Sequence, residues 1–110
     1  MKVSELAEKL QLKRFTSANI PDKEILGGYV SDLLSDVMGY ATEGNVWITL
    51  QNHLNVVAIA SLKDIACVVL VKGIEPPAQV IAKANEEEIA ILGSNSATFE
   101  LVGEIYKMLT

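Results

Sequence analysis

The sequence holds one cysteine, Cys67, so no internal disulfide can form. No export signal opens the chain, and a reducing cytoplasm is the expected location. No apolar run approaches the ~20 residues of a membrane-spanning helix, so no membrane partner is expected. His53 is the only histidine. One His plus one Cys is too few for a zinc site, and no metal or other cofactor is expected. Walker A and GxGxxG sequences are both absent. Basic side chains are scarce: nine Lys and Arg face fourteen Asp and Glu, a net charge of −5. That excludes nucleic acid as an expected partner, because phosphate binding needs clustered cations. Linker-like stretches, internal repeats and low-complexity segments are missing too.

What remains is the composition of a globular domain. The 110 residues are 50% apolar and 21% charged, enough for one real core. Residues 1–110 therefore read as a single domain.

Val3, Leu6, Ala7 and Leu10 form one apolar stripe at helical spacing, with Ser4 as its cap and Glu5 in its first turn. Lys13 to Thr16 suits a short strand, and Pro21-Asp22 a turn. Ile25 to Val30 reads as a strand carrying Gly27-Gly28, which marks a bulge or a close backbone approach. Leu33, Leu34, Val37 and Met38 give a helix that Gly39 or Gly44 ends. Asn45 to Leu50 is a strand. Leu54 to Leu62 is ambiguous: Val56, Val57 and Ile59 favour a strand, while its length and Ala58 and Ala60 allow a helix, and it is assigned as a helix partly because Ile65 to Val71 is the clearest strand. Pro76-Pro77 open a further helix with Val80, Ile81 and Ala84 inward, followed by an acidic run, Glu86 to Glu88. Ile89 to Leu92 is a strand. Ser94 or Ser96 caps a last helix, which is predicted to bury Phe99, Val102, Tyr106 and Leu109. This alternation predicts a single α/β domain with a mainly parallel sheet flanked by helices.

Parallel sheets bind ligands outside the carboxyl ends of their strands. Gln51, Asn52 and His53 follow one strand, Lys72 another, and Ser94 to Ser96 a third. These form a candidate rim for a small anionic or nucleotide ligand, with Gly27 and Gly28 as a weak phosphate-loop signal. The competing reading is that the rim residues cap helices and satisfy loop backbone. Ser31, His53 and Asp64 make a hydrolase triad only on paper, without a nucleophile elbow. Cys67 lies among apolar residues and reads as core. Leu54 to Ala60 is apolar on almost every side as a helix, with 110 residues to cover it. A second copy is the expected cover, through whichever of Val56, Val57 and Ile59 faces outward; the competing reading is an interior strand or a helix buried within one subunit.

Asp22-Lys23-Glu24-Ile25-Leu26-Gly27-Gly28, running on through Tyr29 to Met38, resembles the DRTGG domain. The likeness continues through Trp47 to Val57 and Ala60 to Asp64, so it spans nearly the whole chain in a stand-alone form. Asp22, Gly27 and Gly28 match the name-giving motif. Lys23 replaces its arginine and Leu26 its threonine, and the lysine lacks a planar two-pronged donor. The resemblance implies an α/β module of larger proteins. Such modules occur in some phosphate acetyltransferases, and between the CBS domains of some pyrophosphatases, where they help form a dimer. The family is also similar to the N-terminal domain of HPr kinase/phosphorylase. The kinase chemistry there uses a P-loop in a separate C-terminal domain, and this chain has neither, so it is not expected to be an enzyme. The expectation is a non-catalytic regulatory or interaction module acting as a homodimer, with a protein partner or a small ligand. The alternative is a small-molecule sensor whose ligand sits at the strand-end rim.

Overall fold

The computed structural model describes all residues from 1 to 110. Ten elements follow in the order α1 (Val3–Lys9), β1 (Lys13–Arg14), β2 (Gly27–Val30), α2 (Leu34–Tyr40), β3 (Asn45–Thr49), α3 (Leu54–Leu62), β4 (Cys67–Leu70), α4 (Ala78–Glu86), β5 (Ile91–Gly93) and α5 (Thr98–Leu109). The sheet order is β1-β5-β4-β3-β2. β2 to β5 run parallel and β1 pairs antiparallel with β5, confirming an α/β fold with a mainly parallel sheet.

Each parallel strand lies next to its predecessor, so successive right-handed crossovers put α2, α3 and α4 on the same face. Period-two alternation divides β3 and β4 between two cores. Trp47, Val68 and Leu70 pack with Val37, Val56, Val57, Ile59, Val80 and Ala84 beneath that helical layer. Val46, Ile48, Cys67 and Val69 face the other way, against Val3, Leu6 and Ala7 of α1 and Leu101 and Ile105 of α5. Buried on both faces, β3 and β4 read as continuous apolar runs.

The structure corrects four local expectations. Lys2, not Ser4, is the N-cap of α1; the Ser4 amide and hydroxyl both donate to the Asp22 carboxylate, which ties the turn back onto the helix. Gly27-Gly28 makes no bulge, since register runs unbroken from Gly27↔Asn45 to Val30↔Ile48. Nor is there a close backbone approach: a Cβ on Gly27 would sit 3.2 Å from the side-chain Nδ2 of Asn45, and one on Gly28 would meet backbone only at an ordinary 3.7 Å. Neither Ser94 nor Ser96 caps α5, whose N-cap is Ala97; the Ser94 hydroxyl accepts from the Ser96 amide. Finally, α5 is rotated from the predicted orientation. Leu101 and Ile105 are buried, Val102 and Leu109 are half-buried, and Phe99 and Tyr106 are 86% and 70% exposed. The aliphatic i, i+4 pair fits over the sheet, and the neighbouring aromatic stripe is left beyond its margin.

α3 is confirmed as a helix, but none of the three residues expected to face a second copy points outward. Val56, Val57 and Ile59 are all buried within the chain. The sheet lies beneath α3, and α2 and α4 flank it, so the middle of a three-helix layer is covered on three sides. Leu54, Asn55, Ala58, Ser61 and Leu62 are what it presents outward.

Candidate functional site

The carboxyl ends of the strands form a rim, and most of the expected residues on it hold loops together. After β2, the Asp32 carboxylate accepts from the Thr49 hydroxyl at 2.8 Å and from the Leu50 amide at 2.7 Å. The Gln51 carboxamide donates to the Asp32 carbonyl at 3.0 Å. The Asn52 carboxamide donates to the Glu75 carbonyl at 2.9 Å, which joins the loops after β3 and β4. His53 is the exposed N-cap of α3, with no side-chain capping bond. Lys72 is exposed in a left-handed turn, φ 58°, its amide donating to the Ser96 carbonyl. Gly27 and Gly28 are not at the rim. They start β2, at the opposite end of the sheet.

Ser94 and Ser96 line a cavity of about 260 Å³, together with residues that sequence reading missed. Antiparallel pairing sets Lys13 of β1 opposite Gly93 at the end of β5. The loop after β4 brings up Glu75, whose carboxylate pairs with the Lys13 ammonium at 2.9 Å. Phe15 lies over Gly93 so closely that a Cβ there would meet its ring at 2.5 Å, and the Lys13 ammonium sits 5.1 Å from the ring centroid. The signal for this corner was a two-residue strand, too short for its direction to be read from periodicity.

A second cavity, about 300 Å³, opens between β2 and α5. Gly28, Val30 and Ile48 face Val102, Ile105, Tyr106 and Leu109 across it, with Leu26 at one end. β2 ends the sheet, and nothing in the chain pairs with its outer edge. Leu26 is 68% and Val30 45% exposed beside that edge. Gly28 puts no side chain into this groove.

The groups that carry chemistry elsewhere are dispersed. Burial pushes the Cys67 thiol up to about 12, which keeps it protonated and unreactive. His53 precedes α3 and Asp64 follows it, so nine residues of helix, about 13.5 Å, separate them. Asp64 instead takes a 2.9 Å bond from Lys23, and that bond and charge hold its carboxyl below the usual range. The paper triad is therefore not assembled. No three or more His, Cys, Asp or Glu side chains converge to hold a metal. No helix is long and apolar enough to cross a membrane.

The DRTGG motif region is structural at two of its positions. Asp22 ties down α1 through Ser4, and Lys23 bridges to Asp64 and to the Ile65 carbonyl. No curated protein matches the chain significantly. Among solved structures, it is similar to the CBS and DRTGG domains of the regulatory region of Clostridium perfringens pyrophosphatase, solved with its activator diadenosine tetraphosphate. The TM-score is 0.71 at 13% identity, over 92% of this chain and 44% of that one, a likeness of fold. The chain thus spans less than half of that solved chain. The DRTGG domain model matches residues 29–108, starting just after the segment that carries Lys23 and Leu26. With most of its length matched by that model, the chain belongs to the DRTGG domain family.

Proposed function

We propose that the chain is a non-catalytic regulatory module that acts as a homodimer through the β2 edge and the adjoining α5 face. The observation that carries this is the open edge of β2, four uncharged residues long, beside an apolar groove. Unpaired edges are templates for strand addition, and an exposed apolar patch beside one marks an interaction surface. A strand that pairs antiparallel with its own copy about a twofold axis is self-complementary, which makes a second copy the natural occupant. The regulatory role draws support from the family and from the pyrophosphatase neighbour, whose solved segment is a regulatory region. The non-catalytic reading draws support from the same family and neighbour, both regulatory.

Light scattering on a sizing column tests the dimer. The expected mass is about twice 11.9 kDa at micromolar concentration. A chain that stays monomeric at hundreds of micromolar overturns it. Labelled ATP with candidate serine substrates is expected to give no phosphoryl transfer, because no loop here cradles the β- and γ-phosphates. Transfer that co-purifies with the chain and vanishes in a point mutant overturns the non-catalytic reading.

A second reading, a small-molecule sensor, is favoured by the cavity at the strand-end rim. The pyrophosphatase region binds a nucleotide activator, and a small ligand at this chain's rim would act in the same sense.

A further inference from the structure

The rim cavity has a charge pattern that narrows its ligand. Of the residues lining it, only Lys13 and Glu75 are ionic, and they form a pair at 2.9 Å. The formal charge of the site is therefore zero. A polyanion placed there gains one ammonium and meets one carboxylate, so phosphate-rich ligands are poorly served. Each partner of the pair is about two-thirds exposed, at 63% and 64%. An ion pair that exposed contributes little to stability, so parting it for a ligand costs little.

Resting on the sensor reading above, we propose that this cavity binds a small zwitterion of the free α-amino acid class. Its carboxylate takes the Lys13 ammonium and its ammonium takes the Glu75 carboxylate. An α-amino acid carries these two charges on one carbon, a spacing that suits two protein charges in contact. The exchange replaces one exposed ion pair by two charge-assisted pairs. The Asn52 bond to the Glu75 carbonyl fixes the loop that presents the carboxylate. Phe15 and Ile74 give the ligand side chain apolar surface, and Ser94 and Asn95 supply polar groups in the same lining. The volume of about 260 Å³ suits a molecule of amino-acid size and is small for a dinucleotide.

The test is a titration of the ¹⁵N-labelled chain, followed by amide shifts, with each of the twenty common amino acids at millimolar concentration. Parallel arms use their N-acetyl forms and ATP. At least one free amino acid is expected to move the Gly73, Gly93, Ser94 and Asn95 signals, and its N-acetyl form is expected not to. Lys13→Met and Glu75→Gln, both at exposed positions, are each expected to weaken binding about tenfold with the rest of the spectrum unchanged. Binding that survives both substitutions overturns the proposal. ATP moving these signals while every amino acid leaves them still overturns the zwitterion and keeps the sensor. Silence in all arms overturns both, and leaves the dimer to its own test.

Discussion

Edge strand β1 has two residues, both cationic, whereas edge strand β2 has four and none is charged. Both end the same sheet, so both leave backbone groups unpaired. Lys13 and Arg14 make β1 a short, solvated edge that resists further strands, one of the usual ways to protect a sheet. β2 has no such protection, and the helix beside it turns Tyr106 outward. The protected edge frames a small polar cavity and the unprotected one frames an apolar groove. One edge is suited to a small ligand and the other to a macromolecular surface.

The largest expected effect lies where the sheet supports the β2 edge. Trp47 is fully buried on β3, and its indole N–H donates to the Ser31 carbonyl at the end of β2 at 2.9 Å. Trp47→Ala is expected to cost about 3–5 kcal/mol in urea unfolding. A cost under about 1 kcal/mol would mean that β2 is held by something else.

Alanine at one glycine on each edge side separates the two regions. At Gly93 a Cβ meets Phe15 at 2.5 Å, and Gly93→Ala should cost about 1–3 kcal/mol as the ring is displaced from the cavity. At Gly28 the nearest contact is Val46 at an ordinary 3.5 Å, and Gly28→Ala should stay within about 1 kcal/mol of wild type. Equal costs would erase the contrast.

Acid should loosen the segment before β2, which Asp22 ties to α1 and the Lys23–Asp64 pair ties to the turn before β4. Hydrogen bonding and charge from Lys23 hold Asp64 below the usual carboxylate range. At Asp22 partial burial raises the value, but the Ser4 hydrogen bonds, Lys2 and Arg14 outweigh it, and the net shift is down. Depressed folded values mean that the stability from both groups is complete above about pH 4 and is lost as pH falls through them. In denaturant melts from pH 6 down to 2, Asp64→Asn should flatten part of this decline. An unchanged slope would remove Asp64 from the account.

The smallest effect concerns α5. Phe99 is almost fully exposed, so Phe99→Ser should change stability by no more than about 0.5 kcal/mol. A loss of several kcal/mol would restore the predicted inward face.

The sequence made the parallel frame legible because crossover order and apolar runs are local signals. Leu54–Leu62 resolved as a helix even though apolar residues lie all round it, since a three-helix layer buries three of its sides. The same feature misled the interface reading. All-round apolarity announced cover, yet α2 and α4 supply that cover from within, and Val56, Val57 and Ile59 are interior. Rotation of α5 was unreadable because two adjacent stripes, Leu101/Ile105 and Val102/Tyr106, both have helical spacing. The Lys13–Glu75 pair joins residues 62 positions apart through an antiparallel edge, which no window of sequence reveals.

Sedimentation velocity on Val30→Asp and Arg14→Asp, run beside wild type at the same concentration, tests the contrast between the edges most directly. Both positions are exposed on edge strands, and both substitutions add one carboxylate. The account predicts a monomer for Val30→Asp and a dimer for Arg14→Asp and wild type. A dimer that survives Val30→Asp, or one lost with Arg14→Asp alone, would contradict it.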